Sequence, residues 1–186
     1  MSRYSSVLAI VIRRQFHHES DINYTLLTPT LGKITALAKN IRHTKSNRSG
    51  HLQLGNIVKV QLYTVNGRFW LSEATSVTSF LLGSKNLTQF SLLFYFLEII
   101  NQSVAENQNL DGVFTVTKNL IESININNYS EFIHQEINLI KILGFGVPEN
   151  IVSTYQSQDL KNCQLYLKNF LESIIEKPLQ SNKLFH

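Results

Sequence analysis

The sequence predicts an α+β chain: a small closed five-stranded β-barrel over residues 1–80, followed by an all-α helical domain over 84–186. Three observations lead there. Before residue 79 the apolar residues alternate or form short β-branched runs separated by turn residues. After residue 86 they recur at helical spacing. The charge also changes sign: residues 1–79 hold ten Lys/Arg against three Asp/Glu, a balance of +7, and residues 80–186 hold seven against ten, a balance of −3. The domain boundary falls near 79–86.

Ser5–Arg14 reads as the first strand. Val7 to Ile12 form a continuous apolar run rich in β-branched residues, consistent with burial on both faces. His17–Asp21 is polar and reads as a loop. Ile22–Thr28 is the second strand, with Tyr24 and Leu26 on one face and Thr25 and Leu27 on the other. Pro29 to Gly32 form a turn, because proline fixes φ and glycine accepts a positive one. Lys33–Lys39 is the third strand. Ile34, Ala36 and Ala38 share one face; Lys33, Thr35, Leu37 and Lys39 share the other.

Asn40–Leu54 has no sustained period and reads as a basic loop with a possible helical turn. Ile57–Val65 alternates cleanly, with Val58, Val60 and Leu62 opposed to Lys59, Gln61 and Tyr63. Asn66-Gly67 then joins it to Arg68–Val77. This dipeptide between two strand-like runs is a strong hairpin signal, since both central residues of a type I′ turn need φ > 0. Five strands in this length fit an OB-fold; an SH3-like barrel fits the pattern nearly as well.

Asn86–Ser103 is apolar on almost every side, as a helix buried all round must be. Leu110–Ile124, Ser130–Leu143 and Leu160–Ile175 carry helical apolar stripes, stopped by Gly144–Pro148 and by Pro178. That makes a bundle of four or more helices. Asn107–Asn109, Asn125–Asn128 and Ser153–Asp159 read as the loops between them.

Composition excludes several function classes. A hydrophobic fraction of 43% with 16% charged residues describes a globular chain, and no apolar run is long enough to span a membrane. No signal peptide is evident at Met1–Tyr4, so the expected compartment is the cytoplasm. The single cysteine, Cys163, precludes an internal disulfide and a multi-cysteine zinc site, and reads as a buried inert thiol. His17-His18 beside Glu19 and Asp21 reads as surface loop, because neighbouring side chains point apart. His134, between Glu131 and Glu136, reads as part of a solvated helix face. There is no glycine-rich phosphate loop, no HExxH and no GxSxG, and nothing supports an enzyme.

A binding role is better supported. Between Asp21 and Glu73 there is no acidic residue, while Lys33, Lys39, Arg42, Lys45, Arg48, Lys59 and Arg68 fall in that interval. A hairpin feeding an acid-free basic loop suits a phosphate backbone. Tyr4, Phe16, Tyr24, Tyr63, Phe69 and Trp70 interleave with these cations. Some must fill the barrel, and others can stack on bases. The expected phosphate-binding set is Lys33, Lys39, Arg42, Lys45 and Arg48, with Arg13, Arg14, Lys59 and Arg68 as weaker members.

Those residues also carry a resemblance. Glu19 and Asp21, then Leu26-Leu27-Thr28-Pro29-Thr30-Leu31-Gly32-Lys33, then Ala38-Lys39, Arg42 and Ser46 resemble the RecO family of bacterial DNA repair and recombination proteins. The family pattern is E-x-D, a strand ending L-T-x-x-x-G-K, and A-K-G-x-R-x-x-x-S. Here Asn40 replaces the usual glycine, a substitution that tolerates a left-handed backbone. Leu143–Pro148 and the segment Leu171–Phe185 resemble later parts of the family.

The resemblance implies an OB-fold and a helical domain. It also implies binding of single- and double-stranded DNA and annealing of complementary strands. The expected partners are RecR and the C-terminal tail of the single-stranded-DNA-binding protein, during loading of the recombinase RecA at gaps. The helical half is the expected protein-docking half, with Lys141, Lys161 and Lys168 as candidate contacts. Many relatives carry a four-cysteine zinc module after the Gly-Phe-x-Pro helix end. This chain has only Cys163 there, so no zinc or other cofactor is expected. The rival reading is a protein-interaction adaptor with the same fold and no productive annealing; a third is an RNA-binding barrel.

Overall fold

The computed structural model describes residues 3–17, 20–41, 48–80 and 86–180. They divide into two compact units. One comprises residues 1–84 together with 104–109; the other comprises 85–103 with 110–186.

The first unit is a closed barrel of β1 (Arg3–Phe16), β2 (Ile22–Thr28), β3 (Gly32–Ala38), β4 (Ile57–Val65) and β5 (Arg68–Thr78), in the order β1-β2-β3-β5-β4. Closure depends on β1. Its first half, to Ile10, pairs with β4, and its second half pairs with β2. The register slips between Val11 and Arg13, a bulge that bends the strand from one partner to the other. The bend accounts for the unbroken apolar run: Ala9 to Ile12 are all buried. The parallel β3–β5 pairing, Ala36 with Phe69 and Leu37 with Trp70, completes an OB-type barrel rather than an SH3-like one. Tyr24, Leu26, Ile34, Ile41, Leu52, Val60, Leu62 and Leu71 fill the interior. The hairpin at Asn66-Gly67 has φ 50° and 74°, as a type I′ turn requires. Asn40 takes φ 52°, within the range that suits asparagine.

One helical turn, α1 (Arg48–His51), precedes β4. Asn56 is fully buried and anchors the barrel's end. Its amide donates to His51 O at 2.9 Å, and its Oδ1 accepts from Phe80 N at 2.9 Å.

The second unit contains α2 (Leu87–Ser103), α3 (Val113–Asn125), α4 (Tyr129–Ile142), α5 (Glu149–Gln156) and α6 (Leu160–Ile175). The start of α2 is a reciprocal cap: Asn86 N donates to Gln89 Oε1, and Gln89 N donates to Asn86 Oδ1. Asn128 and Asp159 cap α4 and α6 by accepting from Glu131 N and Asn162 N.

Two expectations need correction here. Ser153–Asp159 is not a loop throughout, because α5 runs to Gln156. That helix is two turns long and buries only Ile151, so it leaves almost no apolar period in the sequence. Glu136 is not on a solvated face. It is 0% exposed, lying beside Phe132, Ile133, Ile137 and Ile140 on the buried stripe of α4. Among the described residues, no helix is long and apolar enough to cross a membrane.

Candidate nucleic-acid interface

An open groove of about 660 Å³ crosses the outer side of the barrel. Its floor comes from Asn23 of β2, Thr35 and Leu37 of β3, and Phe69 and Trp70 of β5. Its rim comes from His17 and Asp21 in the β1–β2 loop, and from Gly67 and Arg68 at the β4–β5 hairpin. Lys39, Glu106 and Asn107 complete the lining. The strand 2–3 face with the loops at its ends is where OB-folds generally take oligonucleotides.

The expected cations fall into four groups. Lys39 and Arg68 are exposed, line the groove together, and are held in no ion pair among the described residues. Arg13, Arg14 and Lys59 are exposed on β1 and β4 but do not line it. Arg42 and Lys45 lie outside the described residues. Lys33 and Arg48 differ from the expectation. Lys33 is only 5% exposed, and burial pushes its ammonium pKa down while Glu106 pulls it back up. Arg48 is a structural clasp. Its guanidinium donates to the carbonyls of Leu71 (3.3 Å), Ser72 (3.1 Å) and Lys39 (2.8 Å), tying the end of β3 to β5. Changing Arg42, Lys45 and Arg48 together would therefore perturb the fold as well as any binding.

The reason for Lys33's burial was not visible in the sequence. The segment 104–109, distant along the chain, lies along β3 as a strap. Glu106 forms a parallel bridge with Lys33, Asn107 N donates to Lys33 O at 2.7 Å, and Thr35 Oγ1 donates to Glu106 Oε1 at 2.7 Å. The interval that is acid-free in sequence thus receives a carboxylate in space. Gly32 makes room for the strap. It has φ 66°, and a Cβ there would lie 2.1 Å from the Gln108 carbonyl oxygen.

Other motif residues also serve as supports. Thr28 Oγ1 accepts from Leu31 N at 2.9 Å and donates to Gly32 O at 3.1 Å, fixing the β2–β3 turn. Asp21 Oδ1 accepts from Asn40 N at 2.9 Å, pinning the exit of β3.

The aromatic residues separate cleanly. Tyr24 is buried, and Phe69 packs against the core. Tyr4, Tyr63 and Trp70 point outward as cross-strand partners on β1, β4 and β5. Tyr4 and Tyr63 lie 5.7 Å apart between ring centroids, and Tyr63 stacks on Trp70 at 6.1 Å. Lys39 Nζ sits 4.6 Å from the Trp70 ring centroid, a cation–π contact at the groove wall.

The barrel matches the family model described as recombination protein O, N terminal, over residues 1–80. The chain is also similar to proteins named DNA repair protein RecO. It is 30% identical to that of Chloroherpeton thalassium over 142 residues, covering 74% of this chain and 55% of the relative. For Dehalococcoides mccartyi the figures are 29% over 139 residues, 74% and 55%. For Clostridium perfringens they are 30% over 145 residues, 74% and 57%. The chain belongs to the RecO family. It spans little more than half the length of the curated relatives it matches.

Cys163 is buried, with its thiol 3.6 Å from Ile151 O inside the helical unit. Burial pushes its pKa up, away from the thiolate that a metal needs. Among the described residues, no three His, Cys, Asp or Glu converge on a metal-sized site.

Proposed function

We propose that this RecO-family chain is a non-catalytic mediator of DNA repair and recombination, working without zinc, whose barrel binds DNA with little regard to sequence. The observation that carries this reading is the groove, where Lys39 and Arg68 face solvent beside half-exposed Trp70 on the strand 2–3 side. The two cations neutralise phosphates and release counterions. Bringing two complementary strands onto the same basic barrel offsets the repulsion between their backbones and speeds pairing. In this reading the chain binds single- and double-stranded DNA and helps load recombinase at gaps. It does so with RecR and with the C-terminal tail of the single-stranded-DNA-binding protein, and the helical unit receives the protein partners.

The test is annealing of two complementary oligonucleotides, one fluorescently labelled, at low and moderate salt. The intact chain is expected to accelerate annealing, and salt is expected to suppress the effect. If the folded chain at saturating concentration gives no acceleration, the mediator reading fails and the adaptor reading takes its place.

Two variants sharpen it. Lys39→Ala with Arg68→Ala removes two phosphate contacts. The slope of log K against log [salt] for a single strand should flatten by roughly 1.4, at about 0.7 per contact. An unchanged slope would remove this groove as the contact surface. Glu106→Gln takes a negative charge out of the groove while keeping an acceptor for Thr35. Single-strand affinity should rise roughly 1.5- to 5-fold at low salt, the range expected of one exposed charge. No change, or a fall, in an anisotropy titration would show that Glu106 does not oppose binding.

A further inference from the structure

Lys39 and Trp70 meet in a way the electrostatic reading does not use. Tyr4, Tyr63 and Trp70 form an outward row across three strands, and sheet stability alone does not require rings in a region left open to water. Tyr4 is 70% exposed. The row ends at the groove wall, where Trp70 is covered on its ring by the Lys39 ammonium. Lys39 is exposed and in no ion pair among the described residues, and its ammonium rests on the indole face. The Trp70 Nε1–H is buried and makes no hydrogen bond among the described residues. An ammonium on an indole face is held by about 0.5–1 kcal/mol at an exposed site, weakly enough to exchange.

We propose that Lys39 is an exchangeable cover on a base-stacking site, and that the ligand taking its place is an unpaired DNA base. On binding, the ammonium leaves the indole for a phosphate, and a base stacks on the uncovered Trp70 face. Tyr63 stacks with that ring and Tyr4 extends the row. Duplex DNA keeps its bases stacked internally, so it meets Lys39 and Arg68 but not the indole. The row therefore distinguishes single strands from duplex at a site whose charges bind both. This inference rests on the DNA-binding reading above and adds the recognition element to it.

Trp70 is the sole tryptophan of the chain, so the native protein reports on the site directly. Intrinsic fluorescence and anisotropy are followed together during titration with a labelled single strand, the same strand with its bases removed at successive positions, and the duplex. Stacking predicts quenching by the intact strand only. The abasic strand should bind at least about fivefold more weakly, the lower end for loss of one base–aromatic stack. Tyr4→Ala, at an exposed ring, should weaken the single strand and leave duplex affinity unchanged. If the single strand binds by anisotropy while Trp70 fluorescence stays constant and the abasic strand binds equally well, the stacking inference is overturned and the electrostatic reading stands. If no DNA binds in any arm, both fall.

Discussion

Gly32→Ala is expected to destabilise the barrel by roughly 2–5 kcal/mol, combining about 1–2 kcal/mol for a left-handed backbone with about 1–3 kcal/mol for forced overpacking. The new methyl would meet Gln108 O at 2.1 Å, Gln108 C at 2.5 Å and Asn109 N at 2.8 Å, all backbone atoms that no rotamer change can move. The strap would have to lift from β3. Denaturant melts give the energy, and hydrogen exchange at the Asn107 amide, bonded to Lys33 O, reports the lifting. Gly67 supplies the control. Its φ of 74° is as left-handed, but nothing lies within 4 Å of a Cβ there, so Gly67→Ala should carry the backbone cost alone. Equal effects at the two glycines would show that the strap is not tightly seated.

A second large effect lies in the helical unit. Burial pushes the Glu136 carboxyl up to about 8 from its ordinary 4.5, against the opposing influence of the Tyr95 hydroxyl from α2 and the Gln164 amide from α6. Neither carboxylate oxygen has a hydrogen-bond partner of ordinary geometry among the described residues. Tyr129 and Cys163 are the other titratable groups coupled to it, and both are shifted upward themselves. The folded chain therefore keeps a proton that the unfolded chain releases. Below pH 4.5 both states hold it and nothing is lost. Between about 4.5 and 8, stability falls as pH rises, by at most about 1.4 kcal/mol per unit. Above 8 the loss levels off. Glu136→Gln cannot ionise and should flatten that slope, matching the parent near pH 5 and exceeding it near pH 8. Urea melts across this range decide it. Parallel slopes for the two proteins would mean that Glu136 is already charged in the folded state.

The strands were legible because each fact that makes them is local. Asn66-Gly67 specifies its own turn, and Val58, Val60 and Leu62 specify their own face. Strand β1 was legible for a less direct reason: its run of buried residues reflects a bulge that no short period displays. Lys33 marks the limit. Alternation correctly set it on the face opposite Ile34, Ala36 and Ala38, with Thr35 and Leu37. Alternation says which side a residue takes, however, and not whether a segment seventy positions later covers that side. Arg48 is the same problem for hydrogen bonds, since its three carbonyl partners come from β5 and the end of β3. Lys39 and Arg68 were identifiable as basic residues, but their convergence on one groove depends on the parallel β3–β5 pairing, which leaves no trace in spacing. Glu136 was more accessible. It stands one position from Ile137 and three from Ile133, so the stripe that buried them also buried it.

The strap has a practical consequence for dissecting this chain. Because residues 104–109 finish β3's outer flank, the barrel is assembled from two stretches that are not adjacent in sequence, with α2 inserted between them. A fragment stopped at residue 80 would contain every strand and still lack one of its walls. Lys33 would become wet and regain an ordinary ammonium, and Thr35 would lose the carboxylate it donates to. Such a fragment would carry more positive charge on this flank than the native barrel does, and would overstate the native chain's grip on any polyanion.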